Sequence, residues 1–137
     1  MNDRIIIDTG PIVAYLRQND EYHKWTSDAV LALKPPFCTC EPVLAEACFL
    51  LERGGGDSDD LLELLERGLI TVSFQISDSI ARVRKLMAKY RKLPMSLADA
   101  CLVIMSEDSD NARVFTLDSH FHIYRRFRRK VIPVLMP

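Results

Sequence analysis

Four carboxylates stand where a charge is conspicuous. Asp8 follows the β-branched run of Ile5, Ile6 and Ile7; Glu46 interrupts VLAEACFLL; Asp99 opens the apolar run SLADACLVIM; Asp118 closes RVFTLD. A carboxylate in apolar surroundings is tolerated when it is paired with a cation or coordinates a metal. Hard oxygen donors of this kind suit Mg²⁺ or Mn²⁺. Clustered carboxylates repel one another, and a divalent cation relieves that repulsion. One or two such ions activate a water and stabilise charge on a phosphodiester. The four acids taken together therefore point to metal-assisted hydrolysis.

Each acid also has a plainer reading. Asp8 and Asp118 suit turn or helix-capping positions. Glu46 flanks the stripe of Val43, Ala47 and Leu50, and could mark a narrow exposed edge. Ser96 followed by Asp99 matches a capping box, and an acid in a first turn is favoured by the helix dipole. Capping alone leaves one thing unexplained: the helix that Asp99 opens is apolar all round, so it reads as buried.

The elements that position these residues alternate. RIIID reads as a short buried strand ending at Thr9-Gly10, and Pro11 suits the first turn of a helix. A second helix is expected over residues 20–34, a strand over 37–39, and a third helix from Pro42 to the glycine run 54–56. Leucines at helical spacing follow over 57–67. A strand is expected over 69–74, an amphipathic helix over 77–92, and then the SLADACLVIM helix. Strands are expected over 113–117 and 131–135. Such alternation implies one α/β domain over residues 1–137 with a parallel-rich sheet. In these sheets ligands bind beyond the carboxyl ends of the strands, which puts Asp8 and Asp118 on one rim.

Competing machinery is absent from the sequence. There is no glycine-rich dinucleotide loop, P-loop or G-x-S-x-G. His23, His120 and His122 lack metal-pair spacing, and HFH reads as a surface turn. Cys38 and Cys40 are too close for the usual zinc spacing, and Cys38, Cys40, Cys48 and Cys101 all read as small core residues. No stretch approaches the roughly 18 apolar residues of a membrane span. The start does not read as a signal peptide, so the cytoplasm is the expected location. The net charge of −1 hides an uneven distribution: acids crowd 57–66, and bases crowd 82–92 and 125–130.

IIIDTGPIVAYL, then Glu46 within a helix, then LADACLV, then VFTLDSHF, in this order, resembles the PIN domain family. It is most similar to the toxin nucleases of the VapC type, over almost the whole chain. The resemblance implies a three-layer α/β/α sandwich with a mostly parallel central sheet, and a metal-dependent endoribonuclease. By motif, Asp8, Glu46, Asp99 and Asp118 would be its acidic residues, with Thr9 and Thr116 as supporting hydroxyls. Asp8, Asp99 and Asp118 would bind Mg²⁺ or Mn²⁺, while Glu46 completes the cluster or orients the attacking water. A homodimer and a small antitoxin that blocks the acidic pocket are implied as well.

An acidic pocket repels a polyanion, so the bases acquire a role in gripping RNA. Lys85, Lys89 and Lys92 are expected on one helix face, and Arg125, Arg126, Arg128 and Arg129 surround Phe127, where a base could stack. The alternatives are a PIN-type RNA-processing nuclease without an antitoxin, and a non-catalytic RNA-binding or interaction module. A phosphoryl-transfer enzyme of the dehalogenase kind wants Asp-x-Asp after the first strand; this chain has Asp8-Thr9-Gly10.

Overall fold

The three isoleucines after Arg4 occupy the centre of the sheet. β1 (Arg4–Ile7) pairs on one side with β2 (Phe37–Thr39) and on the other with β4 (Ala112–Phe115). β-Branched residues suit a strand covered on both faces, and Ile5, Ile6 and Ile7 are all buried. β3 (Ile70–Val72) and β7 (Val134–Leu135) form the edges, giving the order β3-β2-β1-β4-β7 with every pairing parallel. This computed structural model describes residues 4–137, so the first three residues of the expected domain lie outside it.

Helices flank the sheet. They are α1 (Thr9–Leu16), α2 (His23–Leu33), α3 (Glu41–Arg53), α4 (Asp59–Glu66), α5 (Ile80–Lys89) and α6 (Leu97–Glu107). α1 packs against α2 and α3; α6 packs against α5, α3, β1 and β4. The α6 run from Ala100 to Ser106 is buried throughout, as its apolar sequence requires.

Several expectations shift. The strand expected over 131–135 is divided. Lys130–Val131 is β6, which pairs antiparallel with β5 (Arg125–Arg126), while Val134–Leu135 joins the main sheet. Pro133 lies at the break; it has no N–H to give a ladder, but its carbonyl accepts the Val114 N–H at 2.9 Å. The helix expected over 77–92 begins as a 3-10 turn at Ile76–Ser79 and ends at Lys89, so Lys92 lies past it. The buried stripe of α3 is Val43, Ala47 and Leu51, at strict four-residue spacing, and Leu50 is turned outward. Cys38, Cys40 and Cys101 are buried, whereas Cys48 is half-buried. His120-Phe121-His122 is a 3-10 turn over Ser119–His122, anchored by a fully buried Phe121.

Candidate active site

Asp8 extends β1 by one residue: its N–H donates to Phe115 O at 2.9 Å. It also caps α1, with Oδ1 accepting the Thr9 N–H at 2.7 Å. Strand end and helix start thus coincide at one buried carboxylate. Its other oxygen, Oδ2, accepts from Thr116 Oγ1 at 2.7 Å. Thr116 follows β4, the parallel neighbour, so the sheet register brings the two together across 108 residues.

Thr116 Oγ1 in turn accepts the Asp118 N–H at 2.9 Å. Asp118 caps the following 3-10 turn, its Oδ1 accepting the His120 N–H at 2.9 Å. Gly10 lets α1 close on this turn: a Cβ at Gly10 would stand 3.2 Å from Leu117 Cβ. On the other flank, Thr9 Oγ1 donates to Glu46 Oε2 at 3.0 Å, which ties α3 to the start of α1. Glu46, Thr9, Asp8, Thr116 and Asp118 therefore form one chain of hydrogen bonds, with a threonine between each pair of acids.

Asp99 enters from α6. Its N–H donates to Ser96 Oγ at 3.0 Å, and its Oδ2 accepts the Ser96 N–H at 3.3 Å, completing the capping box. Oδ2 also accepts from Tyr124 Oη at 3.0 Å. Capping is real here, and it does not exhaust the residue: both bonds fall on the same oxygen.

The electrostatics join three of the acids. Burial pushes Asp8 up to about 6, against the bonds from Thr116 and Thr9, and the charges of Asp99 and Asp118 raise it further. Burial also raises Asp99, with the charge of Asp118 adding to it. Tyr124 is raised by burial and by Asp99. Asp8, Asp99 and Asp118 thus share one field of like charge.

The donor chemistry fits a hard divalent cation: carboxylate oxygens, one of them buried and still partly protonated near pH 6. The acids are linked rather than gathered to a point. Among the described residues, no group of three or more His, Cys, Asp or Glu side chains is close enough to hold a metal ion as it stands.

The chain matches the PIN domain over residues 5–126. It belongs to the PIN domain family. Its PIN fold is shared with a solved structure, the crystal structure of Mycobacterium tuberculosis VapC20, a sarcin-ricin loop cleaving toxin. That similarity has a TM-score of 0.77 and 20% identity, covering 94% of this chain and 99% of the other. No curated protein sequence matches this chain.

The bases of this PIN domain do not act as one set. Lys85, Lys89 and Arg128 come together beside Phe127. Arg125 Nη1 instead donates to the carbonyls of His122, Ile123 and Tyr124 at 2.7, 3.0 and 3.1 Å. Arg126 Nη1 donates to Ser106 O at 2.9 Å. These two arginines hold their own chain, while Arg129 is exposed and Lys92 sits beyond α5.

Two site residues escape sequence reasoning. Tyr124 is fully buried, touches Tyr90 and Phe121 edge-on, and reaches Asp99 from 25 residues away. His120 Nδ1 lies 3.5 Å from Asp118 Oδ1. Position 120, two residues past a rim carboxylate, was the available signal for His120; Tyr124 offered none. No helix among the described residues is long and apolar enough to cross a membrane.

Proposed function

We propose that this PIN domain is a Mg²⁺- or Mn²⁺-dependent endoribonuclease, one domain acting in the cytoplasm as the toxin of a toxin–antitoxin pair. The observation that carries this reading is the hydrogen-bonded chain from Glu46 through Thr9, Asp8 and Thr116 to Asp118, with Asp99 in the same field. Chains of acids separated by hydroxyls are costly to assemble without a charge to bind.

Asp8, Asp99 and Asp118 would hold the cation. When bound, the ion supplies Lewis-acid stabilisation of the phosphodiester and a more acidic water. Thr9 and Thr116 fix both oxygens of Asp8 and so set the direction of its lone pairs. Tyr124 fixes Asp99. Glu46 is exposed and steered by Thr9, which suits it to orient the attacking water.

A homodimer is part of the proposal. Phe49 and Leu50 are 62% and 37% exposed on α3, an apolar surface suited to a second copy. Light scattering on the purified chain tests it, with a monomer at micromolar concentration as the opposing result.

The nuclease reading is tested on a mixed RNA pool with wild type and Asp99→Asn, in Mg²⁺, Mn²⁺ and EDTA, with folding checked by circular dichroism. Cleavage is expected from wild type alone, and only with metal. Two folded proteins without a metal-dependent difference would favour an RNA-binding or interaction module. A short reading frame for an antitoxin next to the gene separates the toxin from an RNA-processing nuclease.

A further inference from the structure

A groove of about 760 Å³ lies apart from the acids, between α5, the end of α6 and the β5–β6 hairpin. It is lined by Arg82, Lys85, Leu86, Lys89, Phe127 and Arg128, with Glu107. Phe127 sits at the hairpin turn and is 44% exposed. Its φ of 51° and that of Arg128, 72°, lie in the left-handed region, which residues with side chains seldom adopt. Neither glycine nor asparagine relieves this turn.

The surroundings hold the turn in place. The Phe127 N–H donates to Glu107 Oε2 at 2.6 Å, Lys89 Nζ donates to Arg128 O at 3.1 Å, and Arg82 pairs with Glu107. The Arg126 guanidinium lies 5.4 Å from the Phe127 ring centroid and Lys130 Nζ 5.8 Å from it. An aromatic ring is thus fixed toward solvent within a ring of cations. The one acid of the groove, Glu107, is already occupied by Arg82 and a backbone N–H. Arg84 and Arg91 continue the basic surface around α5.

We propose that this groove binds a single-stranded segment of RNA, one base stacking on Phe127 and the flanking phosphates meeting Lys85, Lys89 and Arg128. Aromatic platforms among backbone-tracking cations are how single strands are held without base pairing. The proposal deepens the ribonuclease reading and rests on it for the nature of the substrate. Its position is measurable along α6. Asp99 and Glu107 are eight residues apart, about 12 Å of helix. The segment from Tyr124 to Phe127 runs beside it, Tyr124 bonded to Asp99 and Phe127 to Glu107. At about 3.4 Å per stacked nucleotide, the groove lies roughly three to four nucleotides from the acids.

The test is binding of a fluorescent single-stranded RNA by the full chain in EDTA, so that cleavage does not intervene. Phe127→Ala should weaken binding roughly 5- to 150-fold, the range for one base stacked on an aromatic. Phe127→Tyr should bind as wild type, and Phe127→Leu should resemble Phe127→Ala, separating stacking from bulk. Lys85→Gln with Lys89→Gln should flatten the slope of log affinity against log salt by about 1.4, at about 0.7 for each phosphate contact on a single strand. Phe127→Ala within twofold of wild type, or no RNA binding by wild type, overturns the groove. Metal-dependent cleavage is scored separately: cleavage with unchanged RNA binding in Phe127→Ala sinks the groove alone, and lost binding without cleavage by wild type sinks the nuclease reading alone.

Discussion

Thr116 Oγ1 links two acidic residues, donating to the Asp8 carboxylate at Oδ2 at 2.7 Å and accepting the Asp118 backbone N–H at 2.9 Å. A hydroxyl can do both at once; a methyl of the same size can do neither. Thr116→Val therefore removes two bonds from the site at nearly constant volume. A hydrogen bond to a charged group contributes about 1.5–3 kcal/mol, so kcat/KM is expected to fall roughly 10- to 150-fold. The bond also lowers Asp8, so its loss moves the acid limb of the pH–rate profile upward. Thr116→Ser should retain most activity. An unshifted profile in Thr116→Val would show that the hydroxyl does not tune Asp8.

Tyr124 supports Asp99 in a similar way from a different element. Its ring is buried among Tyr90 and Phe121, so Tyr124→Phe should keep the packing and lose only the bond to Asp99 Oδ2. Partners that orient a metal ligand typically matter 10- to 100-fold in metal affinity. Calorimetric titration with Mn²⁺ should show a weakening of that size, with the circular dichroism spectrum unchanged. Equal Mn²⁺ affinity in Tyr124→Phe and wild type would reduce Tyr124 to a core residue.

Asp8 predicts a pH dependence of stability in the absence of metal. Its folded value, about 6, lies above the ordinary 3.8. A raised value means that the folded state favours the protonated carboxyl. That stabilisation is complete below about 3.8 and is lost as pH rises through about 6. At 1.36 kcal/mol per unit, the ionised form costs on the order of 3 kcal/mol. Asp99 is raised too and carries the same sign. In EDTA, Asp8→Asn should melt higher than wild type at pH 7 and lose that margin toward pH 4. Adding Mn²⁺ at pH 7 should raise wild type and leave Asp8→Asn unmoved. A margin independent of pH would mean that Asp8 is not the titrating group.

What was legible in the sequence was local. The Ser96–Asp99 capping box, the strand through Ile5–Ile7 and the apolar run of α6 are fixed by neighbours a few residues apart, and the structure has them in place. The parallel pairing follows from alternation, because parallel strands need crossovers, whereas the strand order came only with the structure. The 125–135 segment was not legible. Its hairpin turn uses Phe127 and Arg128 at positive φ, where no glycine marks it, and contacts to Glu107 and Lys89, distant in sequence, hold it there. Tyr124 was hidden for the same reason, since nothing in the spacing of 99 and 124 announces their contact. On α3 the choice between Leu50 and Leu51 turned on a single residue of helical phase.

Glu46 is the residue at which orientation of water and binding of metal can be told apart. It meets the rest of the site through Thr9 Oγ1 at 3.0 Å, whereas Asp8 meets Thr9 through the backbone N–H. Thr9→Val therefore releases Glu46 and leaves the cap on Asp8 in place. If Glu46 orients the attacking water, Thr9→Val should lower kcat by roughly 5- to 20-fold, the loss of one hydrogen bond's worth of positioning. Glu46→Gln should lower it by more, because the charged acceptor that orients the water goes with it. Neither change should weaken Mn²⁺ binding more than about twofold. A large loss of Mn²⁺ affinity in Glu46→Gln would instead place Glu46 among the ligands. In that case Thr9→Val should weaken Mn²⁺ binding as well, because the same hydroxyl would then be holding a metal-binding carboxylate.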